Sequence, residues 1–205
     1  MFERLANLFR RDAEPQNEQA PKARPIASEA PDAPEARQTA TGTKDALQRF
    51  MRLVTAHLVA VEGRRLTNAV LTGFDSYGDA AEAFEEGILG DEGQQRGQWL
   101  VIQVDWEAHE ELEWQVAEVA TSFGIQGQWR WASSESETRT VPAGLCDAAN
   151  WVASLGYELL HLDLGGDAYF ALMVRGDGAE NAYRAAVAAG LDVLRTTEFA
   201  RANAS

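Results

Sequence analysis

Apolar residues recur at helical spacing along most of this chain, and glycines close the stretches where they do. Ala46, Leu47, Phe50, Met51, Val54, Leu58 and Val59 form one wide stripe that predicts a helix closed by Gly63. Residues 67–72 (TNAVLT) fit a short strand or a continuing helix equally well. Residues 77–89 carry Ala80, Ala81, Phe84 and Ile88 at helical spacing, with Gly90 behind them. Within residues 98–106 (QWLVIQVDW), Trp99 to Val104 are nearly all apolar, as expected of a strand covered on both faces or at a sheet centre. Ala108, Leu112, Val116, Val119 and Phe123 then make the clearest helix, with Asp105 placed to cap its start and Gly124 suited to its end.

A strand is expected at 125–131 and a loop at 133–140, after which Pro142 opens a helix carrying Leu145, Ala148, Val152 and Leu155. Residues 157–164 and 168–175 read as two strands around Gly165 and Gly166, a strong hairpin signal. Asp177 and Glu180 start a further helix, and 191–194 make a last strand. The order is α-(α)-β-α-β-α-β-β-α-β. A helix ends at Gly124, at Gly156 and at Gly190 with a strand starting at once, and the hairpin excludes an all-parallel sheet. The expectation is an α+β fold, with a mixed or mostly antiparallel sheet and helices packed on one side.

The first 43 residues break this pattern. Phe2, Leu5, Leu8 and Phe9 share one stripe of a short amphipathic helix over 1–11, with Arg4, Arg10 and Arg11 off it. From 12 to 43 five of the six prolines sit among alanines with almost no branched aliphatic residue, so this stretch reads as a disordered, proline-stiffened linker. A single domain is then expected over 44–205. Cys146 is the lone cysteine, which excludes an internal disulfide or a zinc ribbon and suits a reducing cytoplasm. No apolar run approaches the ~20 residues of a membrane span.

Charge changes the picture further. The chain holds 18 Lys and Arg against 32 Asp and Glu, a formal charge of -14, which disfavours nucleic acid as a partner. The imbalance is local: residues 75–118 carry 13 acids and a single base, Arg96. On the helices of that window the acids fall mostly off the apolar stripe, as a solvated acidic face. Glu107, Glu110, Glu111, Glu113 and Glu118 are the residues expected to meet a basic protein partner, with Phe2, Leu5, Leu8 and Phe9 as a second docking element.

Chemistry-bearing residues are few. Of the histidines, His57 lies on the first core helix and His109 on an acidic helix face, neither with a second ligand at metal spacing. His161 and Asp163 point to the same face of one strand. With Asp105 and Asp167, also at strand ends or tips, they are the candidate ligands for a hard cation. Against this, Asp105 serves as a helix cap, Asp167 as a turn residue and His161 as a hydrogen-bonded sheet residue. The six tryptophans suit core packing or a groove, and Trp114 sits off its helix's main stripe.

Two resemblances follow from these strings. Leu164-Gly165-Gly166-Asp167-Ala168-Tyr169 resembles the GGDEF hairpin of diguanylate cyclases, but Ala168 replaces an acidic residue and only 36 residues follow Tyr169. Val104-Asp105-Trp106-Glu107, the Trp129 and Trp131 strand, Leu155-Gly156-Tyr157-Glu158-Leu159 and Leu162 through Tyr169 together resemble an uncharacterised bacterial family, a domain of unknown function, over about 98–195. That resemblance implies an α+β bacterial domain and carries no implication about catalysis. The reading is a bacterial cytoplasmic, non-enzymatic protein-binding module without a cofactor, immunity-like or an adaptor. The alternatives are a metal-dependent hydrolase or nucleotide-handling enzyme using the rim aspartates, and a peripheral membrane protein held weakly through residues 1–11.

Overall fold

The computed structural model describes residues 33–90, 93–131 and 139–204. The amphipathic helix expected at 1–11, with Phe2, Leu5, Leu8 and Phe9, lies outside the described residues, as does the linker as far as residue 32. The first described element, α1 (Ala33–Val54), begins inside the stretch read as linker. Ala, Glu, Arg and Gln favour a helix there, and Pro34 falls in its first turn, where a missing N–H is tolerated.

Helices α2 (Ala60–Tyr77) and α3 (Ala80–Leu89) follow, so the undecided 67–72 stretch is helical. Asp79 accepts a hydrogen bond from the Glu82 N–H and thereby caps α3. The two helices meet closely at glycines. A Cβ on Gly87 would stand 2.6 Å from the Val70 backbone nitrogen, and one on Gly73 3.2 Å from the Ala83 Cα. After β1 (Val101–Asp105), a 3₁₀ turn (His109–Glu111) leads into α4 (Leu112–Ser122). Thr140 caps α5 (Val141–Ser154) through the Ala143 N–H. The hairpin β2 (Tyr157–Asp163) and β3 (Ala168–Arg175) turns through Gly165 and Gly166, both at positive φ (83° and 77°), where only glycine is unstrained. Helix α6 (Ala179–Ala188), β4 (Asp192–Arg195) and α7 (Thr196–Ala202) complete the described chain.

The four strands form one antiparallel sheet in the order β1-β3-β2-β4, within an α+β fold. The helices, however, cover both faces rather than one. Leu160, Leu162, Phe170, Leu172 and Val174 bury against α1, α2, α3 and α6. Their neighbours in sequence, Leu159, Ala171 and Met173, join Ile102 and Val104 against α4, α5 and Phe199 of α7. The apolar runs of the strands required this: a strand apolar at every position needs cover on each side. Each fully buried Leu or Phe contributes about 1.5–3 kcal/mol, so neither face can be left bare.

Residues 125–131 are not a strand. Trp129 and Trp131 are buried and Gln128 and Arg130 exposed, which is a strand's alternation. Among the described residues it pairs with no strand. The outer edge of β1 is filled by two side-chain amides: the Gln94 Oε1 accepts from the Leu100 and Val101 N–H groups, and its Nε2 donates to the Val101 carbonyl. Further along, the Gln115 Oε1 accepts from the Gln103 N–H and its Nε2 donates to the Gln103 carbonyl. The tryptophan segment is held instead by the Trp129 indole donating to Asp147 (2.8 Å) and by Glu113, which accepts from the Trp131 N–H. Helix α7 was not foreseen. Its Phe199 is an isolated apolar residue without periodicity, and the local signal is Glu198 accepting from the Arg195 N–H.

Candidate functional site

The capped edge strand β1 has α3 on one flank and α4 on the other, and both helices are acidic. On the α3 side a cavity of about 310 Å³ is lined by Tyr77, Glu82, Glu85, Glu86 and Gln103. On the α4 side one of about 360 Å³ is lined by Trp99, Gln103, Asp105, Glu111 and Trp114. Gln103 belongs to both, so the two hollows adjoin along β1. Glu82, Glu85, Glu86 and Asp105 are exposed. Trp114 is 47% exposed and stands edge-on to Trp99 with ring centroids 5.5 Å apart. The result is a carboxylate-lined trough with aromatic side chains in it and a floor whose backbone groups are already satisfied.

This geometry redistributes the five glutamates expected to form a docking face. Glu113 pairs with Arg130 at 2.7 Å, and that guanidinium holds its carboxyl below the usual carboxylate range. Glu118 faces Arg96 at 3.8 Å and accepts from the Gly97 N–H. Both are turned to internal work, anchoring the segments before β1 and after α4. Glu111 lines the trough while accepting from Gln115. Glu107 and Glu110 are exposed, and Glu110 lies 3.7 Å from His109. Glu82, Glu85, Glu86 and Tyr77 escaped the sequence reading as site residues, because only the assembled fold places α3 and α4 on the two flanks of β1. Their membership of the acidic window was the available signal.

The four candidate metal ligands divide. Asp105 lines the trough, where it accepts from the Glu107 N–H. His161, Asp163 and Asp167 lie together at the hairpin end of the α7 face, lining a cavity of about 470 Å³ with Trp106, Tyr169 and Phe199 among others. Among the described residues no group of three or more His, Cys, Asp and Glu is arranged to hold a metal ion. Asp163 accepts from the Gly165 N–H, as a turn residue does. His161 is 2% exposed and stacks on Phe199, with centroids 3.9 Å apart and planes 5° from parallel. Of the hydrogen-bonded sheet residue expected by default, it shows a contact at one ring nitrogen. Its Nε2 is 3.5 Å from the Thr196 hydroxyl, and its Nδ1 is buried with no partner among the described residues. Burial lowers its pKa from 6.5 to about 4, so the ring is neutral at pH 7.

His57 repeats the arrangement on another surface, its ring stacked on Phe123 at 3.7 Å and its pKa lowered by burial to about 4. It lines a mainly apolar hollow with Leu53, Tyr157 and Met173. Cys146 is free and half-buried, and burial raises its thiol pKa, which makes it a poor nucleophile. No helix among the described residues is long and apolar enough to cross a membrane.

Comparison with known proteins gives one result. The model of a family described as a domain of unknown function (DUF6630) matches residues 46–197. No curated protein and no solved structure matches.

Proposed function

The chain belongs to this family of unknown function, and from that premise we propose that it is a non-enzymatic protein-binding module whose acidic trough along β1 receives a basic partner. One observation carries the reading: carboxylates from two separate helices line adjoining hollows that share Gln103, with Trp114 exposed in the second of them. Tryptophan is among the residue types enriched at the energetic centres of protein interfaces. A surrounding acidic field raises the encounter rate of a basic protein by about 10- to 1,000-fold at low salt. The glutamine-filled edge supports side-chain recognition over strand addition, because the backbone groups that an added strand would need are taken. Inhibition of a basic protein, as an immunity protein does, and an adaptor role are the two forms this takes.

The test compares the full chain with a variant carrying Glu85→Lys, Glu86→Lys and Trp114→Ala. Proteins captured from the native lysate by the full chain are purified and titrated against both forms at about 50 and about 500 mM salt. The reading expects a basic protein whose affinity falls at least about tenfold with the variant and falls again with salt. Captured proteins that bind both forms equally, or that are not basic, overturn it.

A further inference from the structure

The trough leaves unused the cavity between the hairpin tip and α7, and its wall contains a side chain that packing does not explain. His161 lies against Phe199 with almost no exposure, and its Nδ1 finds no partner among the described residues. The Nε2 has the Thr196 hydroxyl at 3.5 Å, but a phenylalanine would keep the stack on Phe199 without burying an unpaired nitrogen, so the Nδ1 is unfavourable here unless something bonds to it. The volume, about 470 Å³, falls within the roughly 300–1,000 Å³ of small-ligand sites.

The chemistry of the wall has a direction. Its inner part is aromatic, with Tyr169 edge-on to Phe199 at 5.9 Å. Its outer part carries the exposed carboxylates of Asp163 and Asp167, and Trp106 is 57% exposed beside them. Among the described residues no lysine or arginine lines it, and the histidine is neutral at pH 7. A cation is favoured at the rim, by carboxylate charge and by the indole face alike, and an anion is disfavoured.

We propose that this cavity binds a small aromatic amine, its ammonium between Asp163, Asp167 and Trp106 and its ring against Tyr169 and Phe199, with a polar ring substituent hydrogen-bonded to His161 Nδ1. That nitrogen has no solvent access, so the inner contact requires α7 to shift. The helix suits this: it is seven residues long, and Phe199 is its one buried side chain.

Tyramine is the probe, with 2-phenylethylamine lacking the hydroxyl and 3-(4-hydroxyphenyl)propionate reversing the charge. Each is titrated into the full chain while the Trp106 indole N–H and the Gly165 and Gly166 amides are followed by NMR. Tyramine is expected to shift these signals saturably at millimolar concentration or below, more tightly than phenylethylamine, and the propionate is expected not to. Asp163→Asn with Asp167→Asn, both on the exposed rim, weakens both amines at least about fivefold. His161→Phe removes the advantage of tyramine over phenylethylamine. No saturable shift up to about 10 mM, equal binding of the anion, or tyramine affinity unchanged in both variants overturns the site.

Discussion

His161 and His57 make the same trade at different places, stacking a neutral imidazole on a phenylalanine at the expense of its basicity. In the unfolded chain each takes up a proton near pH 6.5; in the folded protein each resists until about pH 4. Between those values the unfolded state binds more protons, so stability rises with pH there. The contribution is fully present above pH 6.5 and is lost as the pH falls toward 4. For His161, the more deeply buried, the loss between pH 7 and pH 5 is about 2 kcal/mol. Urea unfolding of His161→Phe at the two pH values should therefore give a gap about that much narrower than in the unmodified chain. At pH 7 the variant should be as stable or more so, since an unpaired nitrogen has gone. An unchanged gap would mean that His161 titrates normally in the fold. The sequence made the His161 and Asp163 pairing visible through strand alternation, but not the stack, because Phe199 arrives from a helix with no periodic pattern to announce it.

At the scale of elements, the edge of β1 is the part that alternation cannot encode. Gln115 reaches the Gln103 backbone because α4 lies alongside the strand, Gln94 reaches β1 from the segment before it, and nothing in their spacing distinguishes the two from surface residues. The helices, the hairpin and the glycine stops were legible because each is a local pattern. The spurious strand at 125–131 was a local pattern too, defeated by an edge already occupied. Gln115→Leu should leave the Gln103 N–H and carbonyl unpaired, at a cost of about 1–3 kcal/mol for each group. It should also produce concentration-dependent self-association by sedimentation, as expected of an uncovered edge. Gly87→Ala tests the other tight junction. Its Cβ would meet Val70 backbone rather than a flexible side chain, so the melting temperature should fall by an amount matching about 1–3 kcal/mol.

For the molecule as a whole, a formal charge of -14 is a load on the folded state as well as an attraction to a basic partner. Melting temperature should rise between about 20 and 200 mM sodium chloride, as screening shortens from about 20 Å to under 10 Å. A flat profile would mean that ion pairs such as Arg130 with Glu113 already balance the repulsion. The sequence located this charge correctly. It could not say that α3 and α4 would flank one strand, since helices on both faces of the sheet are a property of the assembled layers. Those layers also make the sheet a partition. Phe170, Leu172 and Val174 serve one core, and Ala171 and Met173 serve the other. An opening of α7 disturbs only the second core, and an opening of α3 only the first. In hydrogen–deuterium exchange the β3 amides, paired on both sides and covered on both faces, should therefore be the last to exchange. The helices of the two faces should then lose protection independently, so that one face can yield to a ligand while the other keeps its shape.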